Sequence, residues 1–173
     1  RFPWLSKVVF EYFTTLNGSG PFHFLDFDRV NHPGRGGGDD NYYNNGEYVG
    51  GNSYFNRGIG SPLVPSPEYN DNGKLGFFCN RVQDWHWGAE GQISPQVSYR
   101  LLVTFMNGWG KSSTPFLKKK TGTSYLLDLS YTHPSLPEWH FSGSIAGDTG
   151  RLLGDNGIGF NLKVSKQGIL KRW

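Results

Sequence analysis

Polar and apolar residues alternate with a period of two through most of the chain's second half. Trp85, Trp87, Ala89, Gly91 and Ile93 fall on one side of such a run, and His86, Gly88, Glu90 and Gln92 on the other. Ser94-Pro95-Gln96 then reads as a short turn. Val97, Tyr99, Leu101, Val103 and Phe105 follow, opposite Ser98, Arg100, Leu102, Thr104 and Met106. Tyr125, Leu127, Leu129 and Tyr131 alternate with Leu126, Asp128, Ser130 and Thr132, and residues 133–137 make a second compact turn. Trp139, Phe141, Gly143 and Ile145 form the next set, and Phe160, Leu162 and Val164 the last. A period of two is the signature of a β-strand with unlike faces. Each run is about 8–11 residues long, the length with which a tilted strand crosses a bilayer.

Upstream, Lys7 to Thr15 gives another strand, with Val8, Phe10 and Tyr12 on one face, and Leu75 to Ile93 reads as one long strand. A soluble sandwich also alternates, so three details decide for a membrane. Aromatics (Trp85, Tyr99, Phe105, Tyr125, Tyr131, Trp139) gather near the ends of the apolar faces, as interfacial girdles do. The opposite faces carry Arg100, Asp128, Glu90 and Lys163, groups suited to a wet lumen. Short connections at 94–96 and 133–137 alternate with longer ones around 108–122 and 148–157, the habit of barrels with short periplasmic turns and long outer loops. Both chain ends then fall on the periplasmic side, and residues 16–74 form an extracellular loop region within a single β-barrel portion, 1–173. Six crossings fall short of the eight strands of the smallest single-chain bacterial barrels. The expectation is therefore the C-terminal part of a larger barrel, closed by further chain or other subunits.

Composition supports the β reading. The chain has 25 Gly, 16% aromatics, and one Met among 173 residues, a mixture that favours strands and turns over helices. No stretch approaches the 18 or so apolar residues of a transmembrane helix. Arg1-Phe2-Pro3-Trp4 has no secretory signal pattern, which fits a removed signal or an internal fragment. Cys79 is the sole cysteine, so no intrachain disulfide forms. A net charge of +3 without a basic stripe gives no nucleic-acid footprint.

Several segments go beyond pattern: Glu11 to Pro21 (EYFTTLNGSGP), Asp39 to Leu63 (DDNYYNNGEYVGGNSYFNRGIGSPL), Asn80 to Val82 (NRV), Ser98 to Gly110 (SYRLLVTFMNGWG) and Gly147 to Phe160 (GDTGRLLGDNGIGF). As an ordered set they resemble the Wzi family of capsule-assembly proteins. The resemblance implies an outer-membrane β-barrel that holds or organises capsular polysaccharide at the surface of a Gram-negative cell. Family members are longer, and this chain is similar to their C-terminal part. Trp173 supplies the final aromatic usual for a membrane barrel, although Gln167 and Lys171 break the alternation before it.

Residues 34–57 are the first candidate for surface chemistry, with Tyr42, Tyr43, Tyr48, Tyr54 and Phe55 set among Asp39, Asp40, Asn41, Asn44, Asn45 and Arg57. Flat aromatics match the C–H faces of sugars, and amides and carboxylates match their hydroxyl edges. The competing reading is a loop that packs its own rings and makes Asx turns. Asp39, Asp40 and Asn45 are hard oxygen donors for calcium but lack an EF-hand spacing. Trp109 with Lys118, Lys119 and Lys120 forms a basic segment expected to face outward, able to attract anionic glycan or to serve as a solvated charge run. Residues 148–156 read as a tight turn using positive φ at Gly150, Gly154 or Gly157. Glu90 and Asp128 share the inward faces, but no spacing marks them as a catalytic pair. The five histidines lack metal-binding spacings. The expectation is a non-catalytic protein without cofactor or metal, whose partners are surface polysaccharide and outer-membrane lipid. A soluble carbohydrate-binding β-sandwich and a scaffold subunit of an outer-membrane complex are the alternatives.

Overall fold

The computed structural model describes residues 4–18, 41–70 and 73–168. Asp39, Asp40 and Trp173 lie outside them, as do residues 1–3 and much of the 16–74 region. Among the described residues eight strands follow in order: β1 Lys7–Thr14, β2 Ser53–Tyr54, β3 Arg57–Gly58, β4 Val82–Ser94, β5 Val97–Gly110, β6 Pro115–His133, β7 Leu136–Gly150 and β8 Gly157–Lys166. Six form one antiparallel sheet in the order β1-β4-β5-β6-β7-β8, and β2 and β3 make a small separate hairpin. The fold is all-β and antiparallel. β1 and β8 are the two edges and do not pair with each other, so the sheet is open.

The turns after β4 and β6 shrink to two residues each, Pro95-Gln96 and Pro134-Ser135, with proline at the turn position its fixed φ suits. At the opposite end β5 and β6 run on past the expected strand ends, and the turns there span only 111–114 and 151–156. Lys118 to Lys120 therefore stand on a strand, with Lys120 opposite Gly108. Leu75 to Arg81 is not strand either; β4 begins at Val82. The reason is local. Asn70 Nδ2 donates to the carbonyls of Lys74 and Gly76 (2.7 and 2.9 Å), and Asn44 bridges both backbone groups of Phe77 (2.8 and 2.9 Å). Groups a strand would offer to a neighbour are already bonded to side chains. Gly150 and Gly154 take positive φ (107° and 80°), and Gly157 instead opens β8.

Register carries the alternation across the whole sheet. Cross-strand partners on one face are Phe10, Trp87, Val103 and Tyr125, then Val8, Ala89, Leu101, Leu127, Ile145 and Phe160, then Tyr99, Leu129 and Leu162, then Val97, Tyr131, Phe141 and Val164. This face lies open: Leu162 is 89% exposed, Phe160 74% and Trp87 49%. Burying such a side chain stabilises by about 1.5–3 kcal/mol. Roughly ten of them left in water would forgo more than the whole net stability of an ordinary domain. The face requires a cover.

The other face is polar toward the two-residue turns and again near the opposite end, with an apolar row between them. Lys7, Glu90, Arg100 and Asp128 occupy successive cross-strand positions with alternating sign. Lys7 pairs with Glu90 at 2.9 Å and Arg100 with Asp128 at 3.1 Å. Near the ends of β1, β5 and β7 this face passes under a cap formed by residues 41–70 and 73–80. There Val64, Phe77, Cys79, Val82, Met106 and Leu152 make the buried core, with Phe13, Tyr43, Phe116 and Leu153 packed against it. Thr15 Oγ1 clamps the join, donating to the Asn80 carbonyl (2.7 Å) and accepting from the Val82 amide (2.9 Å).

Candidate functional site

The cap displays some of its aromatics and hides others. Tyr42, Tyr48 and Tyr54 are 63%, 71% and 70% exposed. Tyr43 is not a surface ring: it sits against Phe77 at 5.3 Å between centroids and packs on the core. Its φ of 71° and the adjacent Asn52 N–H, bonded to the Tyr43 carbonyl at 2.7 Å, turn it inward. A Cβ on Gly51, itself at φ 61°, would meet that same carbonyl at 2.3 Å, so this approach admits only glycine. Asn45 Oδ1 accepts from the amides of Glu47 and Tyr48, an Asx turn that presents Tyr48 outward.

The β2–β3 hairpin carries the most exposed ring among the described residues. Phe55 and Asn56 take φ values of 47° and 64°, the left-handed pair a type I′ turn demands. Phenylalanine is rare there, and this one is 85% exposed with its ring edge-on to Tyr54 at 4.6 Å. So exposed a ring pair adds little to folding by burial. Arg57, on the same hairpin, pairs with Glu68 at 3.3 Å.

The basic candidates lie on the β5–β6 hairpin. Lys119 donates to Asn107 Oδ1 (3.2 Å), Lys120 stands over the Phe116 ring (5.0 Å), and Lys118 is exposed. Trp109 is half-buried, its amide bonded to the Arg81 carbonyl at 2.9 Å. The candidates thus divide between the cap, which holds the tyrosines and Arg57, and this hairpin. Glu90 and Asp128 are separated by the intervening strand β5 and are each ion-paired. Two strand spacings put them about 9.6 Å apart. Among the described residues, no group of three or more His, Cys, Asp or Glu side chains is placed to hold a metal.

What the sequence pattern missed is a polar row directly beneath the cap. Glu11, His86, Thr104, Ser124 and Asp148 occupy consecutive cross-strand positions on β1, β4, β5, β6 and β7. The alternation could place each residue on the inward face of its own strand, but only the pairing register aligns the five. Asp84, two positions above His86 on β4, is fully buried and accepts from the Asn107 amide at 3.3 Å.

Cys79 is 4% exposed in the cap core. Burial above all pushes its thiol up to about 11, against the hydrogen bonds it shares with nearby backbone. The reactive thiolate is therefore scarce at neutral pH. Iodoacetamide at pH 8 should alkylate Cys79 in the folded protein at least about 100-fold more slowly than in the denatured chain, from the change in thiolate fraction alone. Mass spectrometry of timed aliquots gives the ratio; equal rates would mean that the cap core is open.

No family model matches the chain, and neither a curated protein nor a solved structure matches it.

Proposed function

We propose that the six-stranded sheet is a lipid-facing segment of an outer-membrane β-barrel wall, and that the cap is its extracellular end, where it attaches surface polysaccharide without catalysing a reaction. The observation that carries this reading is the layering of the apolar face. Its middle row is almost wholly aliphatic: Val8, Ala89, Leu101, Leu127 and Ile145, ending in Phe160. Aromatics gather on both sides of it, Tyr12, Trp85, Phe105, Phe10 and Trp87 toward the cap and Tyr99, Tyr131, Phe141 and Trp139 toward the two-residue turns. Aliphatics at mid-height between two aromatic belts match the hydrocarbon core and its two interfaces. Val97 to Phe105 covers about 27 Å along the strand. At a tilt of about 40° that is about 20 Å of height, close to the roughly 25 Å band of known barrels.

The opposite face fits a lumen, with its charged ladder and its cap. The open edges of β1 and β8 would be closed by further strands, in keeping with the resemblance to the C-terminal part of the longer Wzi proteins. Lipid would cover the face that water cannot, and the exposed rings of Tyr42, Tyr48, Tyr54 and Phe55 would meet the glycan outside.

Leu127→Arg puts a charge on the middle row and should cost about 2–4 kcal/mol in reversible unfolding from lipid vesicles. Ser144→Arg, on the opposite face, should cost under about 1 kcal/mol. Equal costs would favour a soluble sandwich buried on both faces. For the polysaccharide, replacing Tyr42, Tyr48, Tyr54 and Phe55 together by Ala should lower cell-retained capsule by about tenfold with unchanged barrel assembly. Retention at the parental level would remove these rings from the contact.

A further inference from the structure

The polar row beneath the cap is the floor of a built cleft. Four strand spacings of about 4.8 Å make it about 19 Å long. Within it, His86 Nδ1 and Thr104 Oγ1 share a hydrogen bond of 2.8 Å, and Ser124 Oγ donates to Asp148 Oδ1. Cap residues Arg57, Glu68 and Tyr69 face it, and about 810 Å³ of space lies between. One row further from the cap, Val9, Gly88, Leu102, Leu126 and Ala146 replace polar groups with apolar ones. They set the cleft apart from the Lys7–Glu90–Arg100–Asp128 ladder.

The charges in this cleft are unbalanced. Glu11, Glu68 and Asp148 line it, while Arg57, the one guanidinium among its described lining residues, already pairs with Glu68 at 3.3 Å. Glu11 has no salt-bridge partner among the described residues, and Asp148 receives only the Ser124 hydroxyl. The Tyr69 phenol registers the same field: burial first, then Glu68 and Asp148, push its pKa up, against Arg57. Hydroxyls and an imidazole in the middle suit sugar hydroxyls, and the ring of Tyr69 offers a flat apolar surface. The acids at the two ends suit ammonium groups and repel carboxylates.

We propose that this cleft binds a short oligosaccharide segment bearing free amino groups and turns acidic sugars away. The proposal rests on the surface-polysaccharide reading and adds a recessed contact, with its own charge preference, behind the exposed rings of the cap.

The test is calorimetry on the full-length protein in detergent with three tetramer probes: glucosamine, N-acetylglucosamine and galacturonic acid. The glucosamine tetramer should bind about tenfold more tightly than its N-acetylated counterpart, and the galacturonic acid tetramer most weakly. Glu11→Gln with Asp148→Asn should erase that preference while shifting the N-acetylated probe by less than about threefold. Glu11→Gln alone, at an exposed side chain with no hydrogen bond among the described residues, should already reduce the preference and covers misfolding of the double variant. An equal or reversed ranking, or a preference that survives both variants, overturns the proposal. The Tyr42, Tyr48, Tyr54 and Phe55 variant separates the two readings. If it loses capsule while the tetramers show no preference, only the cleft is refuted. If the tetramers rank as expected while capsule retention is unchanged, only the role of the exposed rings is refuted.

Discussion

Everything in this protein depends on a pairing register that keeps period-two alternation in phase through six antiparallel strands. A slip of one residue between any two strands would turn every side chain of one of them to the other face. None occurs in the body of the sheet: the irregularities fall at Gln92/Ser94, Gly108/Gly110 and Thr132/His133, next to the turns. From Trp85 to Gln92 and from Tyr125 to Tyr131 the faces never exchange. The register also concentrates chemistry that no single strand contains. It collects Val8, Ala89, Leu101, Leu127 and Ile145 into one aliphatic row, and Lys7, Glu90, Arg100 and Asp128 into one alternating ladder.

The two faces meet opposite demands. On the apolar side the row of Val8, Ala89, Leu101, Leu127 and Ile145 has no polar side-chain atom to offer water. On the polar side each charge of the ladder has an opposite charge on a neighbouring strand. These pairs are exposed, and each contributes little by itself. Their alternation avoids the cost of placing like charges opposite each other. The cap completes the polar side, joined to the wall through Thr15, Asn80 and Val82 and through the packing of Phe13, Phe77 and Met106.

Much of the sheet could be read from the sequence, because alternation is local. Trp85 to Gln92 and Val97 to Phe105 lie on the faces their spacing predicted, and Pro95 and Pro134 fall in the turns. Features set by distant partners could not be read. Lys118 to Lys120 resemble a solvated loop, yet all three stand on β6, where Lys120 pairs with Gly108 of β5. Leu75 to Arg81 has an extended look, but the amides of Asn44 and Asn70 claim its backbone groups. Tyr42 and Tyr43 are the same residue type side by side; only the fold of the cap makes one a surface ring and the other part of the core. The row from Glu11 to Asp148 spans most of the chain, so its alignment exists only after the strands pair.

The most direct test of the lipid-facing wall is spin labelling along β6, with single labels at Leu127, Asp128, Leu129 and Ser130 in membrane-reconstituted full-length protein. Collision rates would be measured with oxygen, which concentrates in lipid, and with a polar nickel chelate. The account predicts a period of two, with oxygen favoured at Leu127 and Leu129 and disfavoured at Asp128 and Ser130. Equal accessibility at all four positions, or nickel favoured at Leu127 and Leu129, would contradict it.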